Sequence, residues 1–239
     1  MLYVKMFGAE RAGAKFVGNL LSKSIPKTEL TVFTGQFNPV YYPPFDKSDV
    51  KNYIKYVNRP TQELMRNRSM LLADKIRIFP IIVTKNPYTW RQSIWRHRGL
   101  SEKDMDWDRE YNIYNLLYKI YKDLLDNPHD KYDNLYVKGM SIKYEDVIDN
   151  PVEVLRKIVR NLNIAKAKTV ALPQNSWFDA HGKSFYLSKG PWGLAPTKLR
   201  TVKNLVDWEV IGKYGYKPVK PEWFYDPVIY EEDDWTFKI

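Results

Sequence analysis

The stretch Leu2-Tyr3-Val4-Lys5-Met6-Phe7-Gly8-Ala9-Glu10-Arg11-Ala12-Gly13-Ala14-Lys15-Phe16-Val17-Gly18-Asn19-Leu20-Leu21 decides the fold. It opens with a short apolar run bounded by Gly8, which reads as a buried strand ending in a glycine turn. Phe16, Val17, Leu20 and Leu21 then recur with helical spacing, a stripe closed by Ile25-Pro26. Between strand and helix, the segment Gly8 to Lys15 lies where backbone N–H groups and the positive end of a helix converge on an anion. Arg11 and Lys15 supply cations there. The spacing is not that of a nucleotide kinase or ATPase loop: Ala14 separates Gly13 from Lys15, and Phe16 replaces the magnesium-binding hydroxyl. Taken alone, the stretch also fits a glycine-rich turn whose basic residues face solvent.

Outward from this opening, strand and helix patterns alternate. Leu30 to Phe33 reads as a second strand, and Gly35 to Pro44, with Asn38-Pro39 and Pro43-Pro44, as an irregular loop. Ile78 to Thr84 is a further apolar run; beyond it Asn86 can cap a helix whose first turn holds Pro87. Tyr111, Tyr114, Leu117, Tyr121 and Leu124 mark a long amphipathic helix ending at Asn127-Pro128. Leu135 to Val137 and Ile142 to Tyr144 read as short strands, and Asn150-Pro151 starts a helix with Val154, Leu155, Ile158, Val159 and Leu162 on one face. The order implies an α/β fold: a three-layer sandwich with a mainly parallel central sheet flanked by helices, of P-loop type. One domain spans 1–216, and 217–239 is an aromatic and acidic tail that packs on the domain or on a partner.

Bulk properties narrow the chemistry. The 239 residues, 44% hydrophobic, suffice for one core, and the absence of an eighteen-residue apolar run predicts a cytoplasmic protein without membrane insertion. With no cysteine and only His97, His129 and His181, a disulfide framework, a thiolate metal site and a cysteine nucleophile are excluded, and metal-independent chemistry fits best. A net charge of +10 suits polyanions. Its dispersal, without a nucleic-acid-binding motif, argues against specific nucleic-acid recognition.

The segment Ile82-Val83-Thr84-Lys85-Asn86-Pro87-Tyr88-Thr89-Trp90-Arg91-Gln92-Ser93-Ile94-Trp95-Arg96-His97 resembles the part of the sulfotransferases dependent on 3′-phosphoadenosine-5′-phosphosulfate (PAPS) that grips the nucleotide's 3′-phosphate. There a basic residue after a core strand is followed by Asn or Asp and Pro, with a Ser eight residues after the base; Lys85 and Ser93 keep that spacing. A cation at a strand end and a hydroxyl two turns into the next helix can contact one phosphate from two sides. A helix cap with a solvated Lys and a locally bonded Ser is the simpler alternative. Ile142-Lys143-Tyr144-Glu145-Asp146-Val147 and Val206 to Tyr216 resemble the family's later scaffold segments, and Leu187 to Trp192 faintly resembles its late basic loop.

This resemblance implies transfer of a sulfuryl group from PAPS to a hydroxyl of a carbohydrate or small molecule, leaving PAP, the 3′,5′-bisphosphate. Arg11 and Lys15 become the catalytic candidates, and Arg11, Ala12, Gly13, Ala14, Lys15 and Phe16 the cradle of the 5′-phosphate. Lys85 and Ser93, with Lys189 and Gly190, would hold the 3′-phosphate side. The chain departs from the family pattern at three points. Lys85 stands where Arg is usual; Ala12 and Ala14 lack two hydroxyls; and Phe33-Thr34-Gly35-Gln36-Phe37 lacks the usual His base, leaving Glu10, Asp46 and Asp49 as carboxylate candidates. His97 reads as a helix-surface residue near Arg96 and Arg98. A P-loop kinase and a sulfotransferase-like binder without turnover are the competing expectations.

Overall fold

A computed structural model of the chain describes residues 2–25, 30–33, 78–127, 137–164 and 196–218. Its strands are β1 (Leu2–Phe7), β2 (Leu30–Phe33), β3 (Ile78–Thr84) and β4 (Met140–Lys143), forming a parallel sheet in the order β2-β1-β3-β4. The helices are α1 (Ala14–Ser24), α2 (Pro87–Arg98), α3 (Trp107–Asp126), α4 (Tyr144–Asp149), α5 (Pro151–Asn161), α6 (Pro196–Leu205) and α7 (Trp208–Gly212).

The strand-turn-helix opening stands where its apolar pattern puts it. α1 ends before Ile25, whose extended backbone leads toward Pro26. β3 is buried along its whole length, as a parallel strand covered on both faces must be. Its alternation divides the core. Phe79, Ile81 and Val83 join Val4 and Met6 under Val17, Leu20 and Leu21 of α1, Val147 of α4 and Leu155 and Ile158 of α5. Ile78 and Ile82 join Phe7 under the Tyr and Trp side chains of α2 and α3 and the apolar residues of α6 and α7. Helices therefore cover both faces of the sheet.

Caps fix the helix starts near the site. The Asn86 side chain accepts from Tyr88 N at 3.0 Å with Pro87 in the first turn, and Asn150 accepts from Glu153 N at 3.2 Å ahead of Pro151. Asp207 accepts from Val210 N at 3.1 Å and starts α7.

One strand expectation needs correcting. The last strand is Met140–Lys143, and Tyr144 already belongs to a helix whose first turn holds Glu145 and Asp146. Acidic side chains there favour the positive helix end, so apolar alternation through Ile142 gives way to helix one residue early. Val137 is outside a strand, although its N–H donates to Ile78 O at 3.0 Å. Leu135 and Tyr136 lie outside the described residues, as do Gly35 to Pro44 and the tail beyond Pro218. Among the described residues, no helix is long and apolar enough to cross a membrane.

Candidate anion-binding site

The loop between β1 and α1 is tight. Ala12 N donates to Ala9 O at 2.9 Å, and Arg11 and Gly13 both take left-handed backbone conformations, with φ of 64° and 96°. Gly13 is the N-cap of α1; it brings no capping side chain, and no acidic residue follows in the first turn. First-turn amides such as those of Ala14 and Lys15 have no acceptor within the helix, so this end carries donors and partial positive charge. Gly13 has a second reason to be glycine. A Cβ there would lie 2.2 Å from Cδ2 of Tyr144, whose ring closes the underside of the turn. Gly8 lets β1 approach β3, since a Cβ would stand 2.8 Å from Val83 O.

Lys85 forms the other half. It leaves β3 with only 2% of its surface exposed, and its Nζ donates to Ser93 Oγ, two turns along α2, at 3.0 Å. The ammonium also sits 4.9 Å from the centre of the Tyr144 ring, so the same aromatic ring floors both halves. Burial lowers the Lys85 pKa to about 7; Glu145 opposes that shift, while Arg11 and Arg96 add to it. The solvated lysine of the simpler reading is excluded by this burial. Lys85 and Ser93, expected to contact one phosphate from two sides, touch each other directly.

Around these groups the backbone is pinned by phenols. Along α3, Tyr111 Oη donates to Pro87 O at 3.1 Å, Tyr114 Oη to Lys85 O at 2.5 Å, Tyr118 Oη to Val83 O at 3.2 Å and Tyr121 Oη to Gly8 O at 3.4 Å. Carbonyls at the carboxyl ends of parallel strands would repel an anion. Here three of them, at Gly8, Val83 and Lys85, are engaged by buried donors, which also satisfies polar groups that cannot reach water. Burial raises the pKa of each of these tyrosines, so they remain protonated donors.

Glu145 braces the start of α2. Its Oε1 accepts from Asn86 N at 2.9 Å and Thr89 Oγ1 at 3.2 Å, and its Oε2 from Tyr216 Oη at 2.7 Å. Glu10 has a different partnership from the one expected of a base. Its carboxylate lies 2.9 Å from His97 Nε2 and 3.0 Å from an Arg98 nitrogen, which also meets Glu110 at 3.4 Å. Trp90 Nε1 donates to the Glu10 carbonyl at 2.7 Å. Glu10 thus ties the loop to α2, and His97 contacts its carboxylate as well as lying on the helix surface.

The expected residues divide accordingly. Arg11 and Lys15 are exposed at the loop, Gly13 and Ala14 form the helix entrance, and Phe16 meets the Tyr144 ring edge-on at 6.1 Å between centroids. Ala12 is fully buried and its N–H is engaged within the turn, so it shapes the loop and offers an anion neither side chain nor amide. Lys189, Gly190, Asp46 and Asp49 lie outside the described residues. Sequence reasoning assigned Tyr144 and Glu145 to scaffold alone, whereas they form the floor and brace of the site. It also missed the phenol row. The available signal was a helix stripe of tyrosines where leucines would have sufficed, a pattern that places hydrogen-bond donors in a core. A separate open groove of about 560 Å³ beside Asp146, Glu153 and Lys157 includes none of these groups.

Comparison with protein-family profiles, curated proteins and solved structures gave no match.

Proposed function

We propose that this chain is a PAPS-dependent sulfotransferase with a P-loop-type sandwich fold, acting on a hydroxyl of a carbohydrate or small molecule. The observation that carries the reading is the 3.0 Å contact between buried Lys85 and Ser93, facing the same Tyr144 ring as the glycine-capped start of α1. Two anion-attracting sites on one floor suit a nucleotide with two separated phosphates. Lys85 and Ser93 take the 3′-phosphate; the α1 amides, Lys15 and Arg11 take the 5′-side.

In the reaction the acceptor oxygen bonds to sulfur while the bridging bond to the 5′-phosphate breaks. That electron pair departs with the bisphosphate, and the acceptor proton passes to a base or to water. Arg11 stabilises charge gathering on the leaving phosphate, a contribution of a few kcal/mol, on the order of what one oxyanion donor supplies. Glu10, already paired with Arg98 and His97, positions the loop.

Thermal shift with adenosine-3′,5′-bisphosphate, ATP plus magnesium, and a short oligonucleotide tests the assignment. Stabilisation by the bisphosphate alone is expected; indifference to it ends the proposal. Alanines at positions 12 and 14, where the resembled loop has hydroxyls, favour a second reading: binding of the same nucleotide without turnover. Assay of labelled sulfuryl transfer to a panel of hydroxyl acceptors separates the two.

A further inference from the structure

Tyr216 stands behind both arms that carry Lys85 and Ser93. One arm is the end of β3. Thr84, the residue before Lys85, has its Oγ1 3.3 Å from Tyr216 Oη and donates to Ile142 O of β4 at 3.1 Å. The other arm is α2. Tyr216 Oη donates to Glu145 Oε2 at 2.7 Å, and the second oxygen of that carboxylate accepts from Asn86 N at 2.9 Å and from Thr89 Oγ1 at 3.2 Å. Thr89 and Ser93 are four residues apart on α2, so they lie one above the other on a single face. The phenol has one proton, which goes to the carboxylate. In the Thr84 contact Tyr216 is therefore the acceptor, and the threonine proton is shared between Tyr216 and Ile142 O.

Tyr216 is itself held in place. It is buried, and it follows Gly215, whose φ of 82° turns the chain inward after α7. Gly215 O accepts from Lys143 Nζ at 2.9 Å, and the same ammonium lies 5.0 Å from the centre of the Tyr216 ring. A Cβ at Gly215 would stand 2.9 Å from that ammonium. Tyr214 Oη donates to Tyr118 O at 2.8 Å, which fastens the same segment to α3.

We infer that Tyr216 is a positioning residue for the 3′-phosphate half of the site: its hydroxyl, through Thr84 and Glu145, sets the spacing of Lys85 and Ser93 that one phosphate has to fit. The inference rests on the proposed function for the identity of the ligand, and on this hydrogen-bond chain for the coupling. Lys85 and Ser93 belong to different elements, and a phosphate held between them tolerates errors of only a fraction of an ångström. Removing Oη leaves Thr84 bonded to β4 and Glu145 bonded to α2, and cuts the tie that one group makes to both.

The test is a double-mutant cycle on the full chain, read by calorimetric titration with adenosine-3′,5′-bisphosphate and, in parallel, with inorganic phosphate. Tyr216→Phe keeps the buried ring and removes only the hydroxyl. Alone, or combined with Lys15→Ala in the loop half, it should weaken binding by about tenfold, the order of one lost hydrogen bond to a charged group. Combined with Ser93→Ala it should add less than about twofold, because the contact it positions is already missing. In the transfer assay Tyr216→Phe should raise the KM for PAPS by a larger factor than it lowers kcat, as loss of binding rather than of transition-state stabilisation requires. Should that variant fail to fold, Glu145→Gln takes its place in the cycle, since its single accepting oxygen serves the α2 donors and none remains for Tyr216. Binding of the bisphosphate with the same loss in every background, or with no loss, would overturn the inference and leave the functional proposal standing. Binding of phosphate with the coupled cycle, but no binding of the bisphosphate, would keep the inference and end the sulfotransferase reading. Binding of neither ligand overturns both.

Discussion

The two halves of the site handle charge in opposite ways. The loop half presents backbone amides and the exposed cations Arg11 and Lys15, solvated before any ligand arrives and screened by salt. The strand-helix half buries Lys85 against Ser93 and Tyr144, where desolvation disfavours the ammonium form. An exposed cation attracts an anion at little cost to the fold. A buried one holds it more tightly and weakens the empty protein, so each half fails differently when altered.

The largest contrast is expected at Lys85. Lys85→Met should weaken bisphosphate binding by about 100-fold, the order expected for loss of a buried charge-assisted contact, while raising the melting temperature of the free protein at pH 7. Calorimetry and thermal melts check the two effects; a lower melting temperature would contradict the account of a costly buried amine. The pH dependence gives the same comparison without mutation. Because the Lys85 pKa is lowered in the fold to about 7 from 10.5, the unfolded chain binds more protons between those values, and the empty protein should gain stability from pH 7 toward pH 9.5. Beyond pH 10 the trend reverses. Tyr111, Tyr114, Tyr118, Tyr121, Tyr214 and Tyr216 keep their protons in the fold longer than in the unfolded chain, so stability is lost as the unfolded phenols ionise. Urea unfolding from pH 7 to 11 should trace a rise and then a steep fall, and Lys85→Met should remove only the rise.

Gly13→Ala sharpens the comparison from the loop side. With φ at 96° and the new Cβ 2.2 Å from the Tyr144 ring, a loss of about 2–4 kcal/mol is expected by urea unfolding. Adding Tyr144→Ala should relieve the overlap and leave the backbone strain. Tyr114→Phe leaves the Lys85 carbonyl buried without its phenol; a loss of about 1–3 kcal/mol is expected, with weaker bisphosphate binding as the strand end loosens. The smallest effect on the fold belongs to Arg11→Gly. Relief of the left-handed conformation at φ 64° should leave stability unchanged or raise it by up to about 1 kcal/mol, whereas sulfuryl transfer should fall and become less salt-sensitive. Equal transfer by wild type and variant would remove Arg11 from its proposed role.

Much of this site was legible as local pattern. The apolar run before Gly8 and the stripe after it specify strand, turn and helix; Asn86-Pro87 specifies a capped start; and the interval from Lys85 to Ser93 places a cation and a hydroxyl two helical turns apart. Those signals depend on neighbours within about a dozen residues. The end of the last strand was misplaced because Ile142 and Tyr144 continue an apolar alternation while Glu145 and Asp146 favour a helix start, and the second preference wins.

The sequence by itself determined the alternating framework and the local spacing of Lys85 and Ser93, since periodicity, caps and glycine turns are set by short-range sterics and hydrogen bonding. The tertiary structure alone decided that Lys85 is buried, that Tyr144 floors both halves, that phenols from α3 take the strand-end carbonyls, and that Glu10 is tied to Arg98 and His97. The physical reason is that desolvation and long-range pairing depend on which distant segments pack together. The Lys85 carbonyl and Tyr114 are 29 residues apart, and Trp90 and the Glu10 carbonyl 80.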